Sequence, residues 1–264
     1  MYSFDYHRPE DVEAAVAAMQ GDARYLAGGQ SLIQAMKLRL SSCERLVDLG
    51  AIGNLKGIAI DGSYVTIGAM TTHAAVAGSP EVARVVPALA RLAGGIGDRM
   101  VRSRGTLGGS LANADPAACY PAALLGLGGK VHTNLRVIES DAFFTGLYET
   151  ALEPGELITS VSFAIPRKAA YVKYKQPASR FALVGVFVSQ GEAGVRVAVT
   201  GVKGSCFRFT EMERTLQGHF TAASAKAVML PEDDVNSDMH GSAAYRAEMV
   251  RIMASRAVEA ALAP

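Results

Sequence analysis

Two short segments that begin with paired glycines constrain this sequence most: residues 28–32 read Gly-Gly-Gln-Ser-Leu, and residues 108–111 read Gly-Gly-Ser-Leu. The first follows a strand-like run, 24–26, and precedes a helical pattern, 32–40. Because glycine has no Cβ, backbone N–H groups in such a turn can approach an anion closely, and a helix start adds free donors and a positive end. Two such turns, about 80 residues apart, fit two walls of one diphosphate site. Either one alone is also explained as a tight packing turn.

The pattern of apolar residues along the chain predicts an α+β protein with three units. The first alternates helix and strand and ends near residue 55. The second opens with a hairpin around Asp61-Gly62 and has a helix capped by Ser79 before Pro80. We expect the glycine-rich stretch 94–115 to be a loop and a helix to run from Asp115-Pro116 to about residue 127. In the third unit we expect strands at 181–188 and 195–199, helices at 210–216 and 242–262, and an exposed loop at 231–241.

Composition excludes several classes of protein. The chain has 264 residues, and half of them are hydrophobic. Its 26 basic and 25 acidic residues give a net charge of +1, and the basic residues form no run. This charge pattern argues against nucleic acid as a partner. No apolar stretch reaches the roughly 18 residues of a membrane span, and residues 1–6 lack the features of a signal peptide, so we expect a cytoplasmic protein without a membrane span. Three scattered cysteines and five histidines without ligand spacing predict no disulfide framework, metal site or iron–sulfur cluster on this chain.

Common catalytic motifs are also incomplete. Gly95-Ile96-Gly97 lacks the third glycine of a dinucleotide-binding fingerprint, and no phosphate-binding loop with Gly-Lys-Ser/Thr is present. Ser110 is placed as in a nucleophile elbow, but Ala112 replaces the final glycine. We therefore predict no catalytic side chain, and any redox chemistry requires an organic cofactor.

The sequence resembles the flavoprotein (medium) subunits of the carbon monoxide dehydrogenase and xanthine dehydrogenase family. The likeness covers nearly the whole chain, and its longest stretch reads Arg-Ser-Arg-Gly-Thr-Leu-Gly-Gly-Ser-Leu-Ala-Asn-Ala-Asp-Pro at 102–116. Further matching segments are 4–9, 26–33, 67–72, 141–144, 154–158 and 245–246.

This resemblance implies a fold and a division into domains. Two α/β subdomains, 1–55 and 56–168, would bind FAD between them in the fold shared with vanillyl-alcohol oxidase-type enzymes. A carboxy-terminal domain, 169–264, would be an antiparallel sheet with helices.

The resemblance also implies the residues that hold FAD. The two glycine segments would grip the diphosphate, Ile158 would contact the cofactor from the second domain, and Lys175 and Phe181 would lie near the flavin ring, although a core position on an apolar strand explains Phe181 equally well. Cys119 stands where the family commonly has a flavin-contacting aspartate, which implies one fewer polar contact or a shifted reduction potential. The full predicted set is Ala27, Gly28, Gly29, Gln30, Ser31, Leu32, Thr106, Gly108, Gly109, Ser110, Asn113, Asp115, Cys119, Ile158, Lys175 and Phe181.

The implied function is electron transfer within a larger enzyme. Substrate would be hydroxylated at a molybdopterin centre on a large subunit, and electrons would pass through [2Fe–2S] clusters of a small subunit to FAD on this chain and then to an external acceptor. We expect a dimer of heterotrimers. A stand-alone flavin oxidoreductase of the same fold is one alternative, and a flavin-free assembly protein is another, supported by the Cys119 departure.

Overall fold

In the computed structural model, which describes residues 1–263, the amino-terminal unit is a three-stranded parallel sheet with two short helices. The first helix starts after Asp11, because the carboxylate of this residue accepts a hydrogen bond from the N–H of Ala14 at 2.7 Å. Two 3-10 turns, Leu49–Ala51 and Gly53–Leu55, lead to the next unit. The elements are β1 (Asp5–His7), α1 (Val12–Ala17), β2 (Ala23–Leu26), α2 (Leu32–Lys37) and β3 (Arg45–Asp48), with β3 between the other two strands.

The second unit is a five-stranded antiparallel sheet covered by helices. Its first two strands form the predicted hairpin, with Gly62 at φ +55° in the turn. The strands are β4 (Ile58–Asp61), β5 (Tyr64–Gly68), β6 (Lys130–Thr133), β7 (Val137–Glu139) and β10 (Ile158–Ala164), in the order β4-β5-β10-β6-β7, beside a small ribbon of β8 (Phe144–Gly146) and β9 (Glu149–Thr150). The helices are α3 (His73–Gly78), α4 (Pro80–Val85), α5 (Pro87–Gly94), α6 (Arg99–Arg104), α7 (Leu107–Asn113), α8 (Tyr120–Gly126) and α9 (Ser140–Phe143).

The third unit is a four-stranded antiparallel sheet with helices on one face. Inward-facing valines of the middle strands pack against Val250, Met253 and Ala257 of the last helix. The strands, in sheet order, are β11 (Lys168–Lys175), β12 (Ala182–Gly191), β13 (Gly194–Thr200) and β14 (Phe207–Arg208), and the helices are α10 (Thr210–Gly218), α11 (Ala222–Lys226) and α12 (Ala243–Leu262).

Shared cores fix the three units together. Met70 and Leu157 of the second unit are buried with the apolar residues of the first. Phe187 of the third unit belongs to the core of the second, and it lies so close to α8 that a Cβ on Gly126 would come within 2.5 Å of its ring. These contacts hold the segments that meet at the candidate site.

The stretch 94–126 differs from the sequence-based expectation. We predicted a loop over 94–115, but the structure contains α6 and α7 there, because Asp98 and Thr106 cap them through hydrogen bonds from the N–H groups of Val101 and Gly109. The predicted helix start at Asp115 is also wrong: this carboxylate accepts from the N–H of Ala117 in a turn, and α8 begins five residues later. The expected α+β class is confirmed. Each of the three larger sheets lies mostly within one predicted domain, although β11 begins one residue before the predicted third domain, and the domain boundaries remain predictions. Within residues 1–263, no helix is long and apolar enough to cross a membrane.

Candidate functional site

A cavity of about 640 Å³ lies where the three units meet. This volume is typical of small-molecule and cofactor sites. Every predicted site residue except Lys175 contributes to its wall. These residues are Ala27, Gly28, Gly29, Gln30, Ser31, Leu32, Thr106, Gly108, Gly109, Ser110, Asn113, Asp115, Cys119, Ile158 and Phe181.

The first glycine segment is an open turn between β2 and α2. Gly29 has φ +70°, a left-handed conformation that glycine adopts without a steric penalty. A Cβ on Gly28 would overlap the carbonyl oxygen of Arg104, so only glycine allows the two chain segments to approach this closely. The N–H groups of residues 28–32 donate no hydrogen bond to any group in residues 1–263. They are available to an acceptor in the cavity.

The second glycine segment has a different role from the first. Gly108 and Gly109 lie inside the first turn of α7, where the N–H of Gly108 donates to Ala69 O at 2.8 Å and that of Gly109 to Thr106 Oγ1 at 3.2 Å. These two N–H groups are therefore not the free donors that the sequence suggested. The glycines instead permit close packing, since a Cβ on Gly108 would lie 2.6 Å from the Cβ of Ala69.

The two glycine segments meet at one edge of the cavity. A Cβ on Gly109 would lie 3.2 Å from the Cβ of Ala27, which begins the first turn. The hydroxyl of Ser110 and the amide of Asn113 add polar groups on the α7 side of the wall. The folded chain thus joins turns that are distant in sequence, while their binding of a diphosphate remains a prediction.

The opposite part of the wall comes from the hairpin between β11 and β12. Lys173 lies there, with its Nζ 3.2 Å from Cys119 Sγ and 2.9 Å from Arg180 O. The guanidinium of Arg180 donates to Gly97 O at 3.3 Å, which ties the hairpin to the second unit. Phe181 is 45% exposed and precedes β12, so the alternative that it is a core residue is wrong.

Lys175 lies outside the lining, although it is only two residues from Lys173. The pairing of β11 with β12 is regular up to Tyr174 and then shifts, so that Lys175 pairs with Ala182. The extra residue at this shift, Leu183, lies on β12, and Lys175 is exposed near the end of β11. The sequence pattern carried no signal for this shift.

His73 is a further wall residue that the sequence reasoning missed. It begins α3, is buried, and its Nδ1 has no hydrogen-bond partner in the described chain. Burial, with a smaller contribution from Arg102, lowers the pKa of His73 to about 4, so the imidazole is neutral at pH 7. The only sign of His73 in the sequence was its position directly after residues 67–72, one of the segments that resemble the family.

The carboxylates of the wall have partners within the protein. Glu156 has a fully buried side chain that receives hydrogen bonds from Arg136, Thr133 and the N–H of Glu153, and Arg136 holds its pKa at about 2. Burial raises the pKa of Asp115. No cluster of three or more metal-ligating side chains occurs in the part of the chain described. The wall offers backbone donors at one part and a lysine and an aromatic ring at another, which are groups suited to a large anionic ligand.

Comparisons with known proteins agree with this geometry. Residues 2–168 match the family described as FAD binding domain in molybdopterin dehydrogenase. The chain is 38% identical to the carbon monoxide dehydrogenase medium chain of Afipia carboxidovorans, over 99% of this chain and 97% of that one. It is 34% identical to the nicotine 6-hydroxylase medium subunit of Paenarthrobacter nicotinovorans, over 96% and 95% of the two chains. The solved structure of a carbon monoxide dehydrogenase from Hydrogenophaga pseudoflava, which lacks the Mo-pyranopterin moiety, superposes with a TM-score of 0.89 at 35% identity, covering 98% and 97%.

Proposed function

Since this chain belongs to the family of FAD-binding medium subunits of molybdenum hydroxylases, we propose that it accepts electrons from [2Fe–2S] clusters of a partner subunit and passes them through FAD to an external acceptor. The observation that carries the proposal is the row of free N–H groups at residues 28–32, at the edge of a cavity large enough for a dinucleotide. Bound FAD accepts electrons singly or in pairs and therefore suits a position between one-electron and two-electron carriers.

The residues of this chain bind and orient the cofactor. The N–H groups of the first turn donate to the diphosphate, and α7 places Ser110 and Asn113 on the opposite side. Ile158 and Phe181 supply apolar contacts. We assign no general base, because the organic substrate reacts on another chain.

The same proposal includes the partners of the chain. A large molybdopterin-binding subunit and a small iron–sulfur subunit would associate with it, as a dimer of heterotrimers. Relatives of known function are named medium chains or subunits, which supports a multi-subunit assembly. The outer face of α6, with Arg99, Arg104 and the 78% exposed side chain of Met100, is a suitable contact surface for one of these subunits.

Two alternatives make different predictions. A stand-alone flavin oxidoreductase would carry FAD but would not copurify with iron or molybdenum. A flavin-free assembly protein would be colourless, and Cys119 in the wall is the only feature that favours it. Cys119 is buried beside Lys173 without occupying the cavity, so this feature gives the second alternative little support.

Purification of the full chain, alone and coexpressed with the products of neighbouring genes, tests the proposal. We expect a yellow chain with one FAD per chain, and a coexpressed complex that also contains iron and molybdenum. A folded chain that stays colourless with excess FAD would refute FAD binding. FAD without copurifying iron and molybdenum would favour the stand-alone oxidoreductase.

A further inference from the structure

Lys173 carries a positive charge that no carboxylate of the described part of the chain neutralises. Its ammonium is held by a thiol, that of Cys119, and by the carbonyl oxygen of Arg180. No carboxylate of residues 1–263 lies within salt-bridge distance of Lys173. A thiol sulfur is a weak acceptor and a carbonyl oxygen is uncharged, so both position the ammonium while leaving its charge in the cavity wall.

The acidic residues of the same wall interact with other groups. Glu153 and Glu156 pair with Arg136, at 3.5 and 3.0 Å. Asp115 accepts a hydrogen bond from the N–H of Ala117. The part of the cavity beside the hairpin is therefore electropositive mainly through Lys173, which has no carboxylate partner in residues 1–263, while the charge of Arg180 interacts with that of Asp98.

We propose that Lys173 raises the reduction potential of the bound flavin, and that Cys119 is the positioning residue that fixes the ammonium without neutralising it. This inference rests on the proposed function, because it requires the flavin ring to lie beside the hairpin. A flavin that takes up two electrons and one proton gains one negative charge, and a nearby cation stabilises that reduced form more than the oxidised form. A carboxylate at position 119 would pair with Lys173 and weaken this effect.

Five variants of the full-length, FAD-loaded chain test the inference, and one of them is Lys175→Met, at the lysine that the resemblance implied. Lys173→Met removes the positive charge from the cavity wall. Lys168→Met is the matched control, because it removes one positive charge from the same strand at an exposed position outside the cavity wall. Cys119→Asp adds the neutralising carboxylate, and Cys119→Ser keeps a neutral side chain. The midpoint potential is measured by reductive titration with a reference dye, with the flavin spectrum as readout.

We expect Lys173→Met and Cys119→Asp each to raise the ratio of oxidised to reduced flavin at a fixed potential at least tenfold, which for a two-electron couple is a shift of about 30 mV to lower potential. Lys168→Met and Cys119→Ser should leave the potential unchanged. If Lys173→Met does not fold, Cys119→Asp still tests the charge.

Equal potentials for Lys173→Met and Lys168→Met would overturn the inference. So would a rise in potential for Cys119→Ser, because it would mean that the sulfur itself carries a neutralising charge. A shift on Lys175→Met without one on Lys173→Met would favour the lysine expected from sequence instead. A wild-type chain that binds no FAD would refute the proposed function as well, whereas FAD-loaded variants with unmoved potentials would refute only the role of Lys173.

Discussion

Replacing Gly109 with alanine should separate the folding of the chain from its retention of FAD. The added Cβ would lie 2.8 Å from Thr106 Oγ1 and 3.2 Å from the Cβ of Ala27. The first distance is too short for a carbon–oxygen contact, so the Thr106 side chain must rotate and lose the hydrogen bond that it accepts from the N–H of Gly109. The second contact pushes on the first glycine turn, whose free N–H groups directly follow Ala27.

The two effects on stability oppose each other. Loss of the Thr106 cap costs about 1 kcal/mol, while alanine in place of a helical glycine contributes up to about 1 kcal/mol. The free energy of unfolding should therefore change by less than about 1 kcal/mol. A hydrogen bond to a charged group is worth about 1.5–3 kcal/mol. If the displaced turn loses one such bond to a phosphate of FAD, the Kd should rise roughly ten- to a hundredfold.

Titration of the FAD-depleted chain with FAD gives the Kd, and thermal unfolding of the same samples gives the stability. Gly78→Ala is a matched control, because Gly78 also lies in a short helix but has no atom within 4 Å of an added Cβ and does not line the cavity. A Kd for Gly109→Ala within twofold of the wild type would refute the reasoning. A loss of several kcal/mol of stability would show instead that the contact between the two turns holds the fold.

Two further predictions concern buried titratable groups. His73 binds a proton near pH 6.5 in the unfolded chain but only near pH 4 in the folded chain, so lowering the pH from 6.5 to 4 should destabilise the fold by up to ~3 kcal/mol. His73→Phe should therefore flatten the profile of Tm against pH. An unchanged slope would refute the lowered pKa of His73. Arg136→Met should lower the free energy of unfolding, because it leaves the buried carboxylate of Glu156 without its charged partner. The contribution of Glu156 to stability is present above pH 4.5 and is lost as the pH falls toward 2. Urea unfolding at pH 7 should therefore show a lower free energy of unfolding for Arg136→Met. Lys130→Met, in an exposed ion pair, should change it much less.

Local sequence patterns predicted the elements whose signals are contained within a few residues. The hairpin around Asp61-Gly62 and the cap at Ser79 are confirmed. The segment 99–113 was not predicted as helical because its glycines weaken helices on intrinsic propensity alone. In the folded chain, the close packing of Gly108 on Ala69 and the cap at Thr106 stabilise α7. Such a tertiary contact between distant segments cannot be read from a local window.

The candidate site shows the same limit. Almost all of the residues that the resemblance and the glycine turns selected line the cavity, because they lie in long motifs shared with a known family, but the rest of the wall was not predicted. Lys173 was missed because Lys173 and Lys175 lie two positions apart on the same strand, and the sequence pattern does not show which of them lines the cavity. The unequal hydrogen bonding of the two glycine turns was missed as well, since Ala69, which accepts from Gly108, lies 39 positions away in the sequence.

The wall of the cavity joins segments from all three units, and its last part, which includes Lys173, Arg180 and Phe181, lies beyond the end of the family match at residue 168. During synthesis the ribosome makes both glycine turns long before this hairpin, and the hairpin can close the pocket only when its sheet has folded onto the second unit. The cavity wall is therefore complete only once residues up to 181 have been made and β11 and β12 have paired.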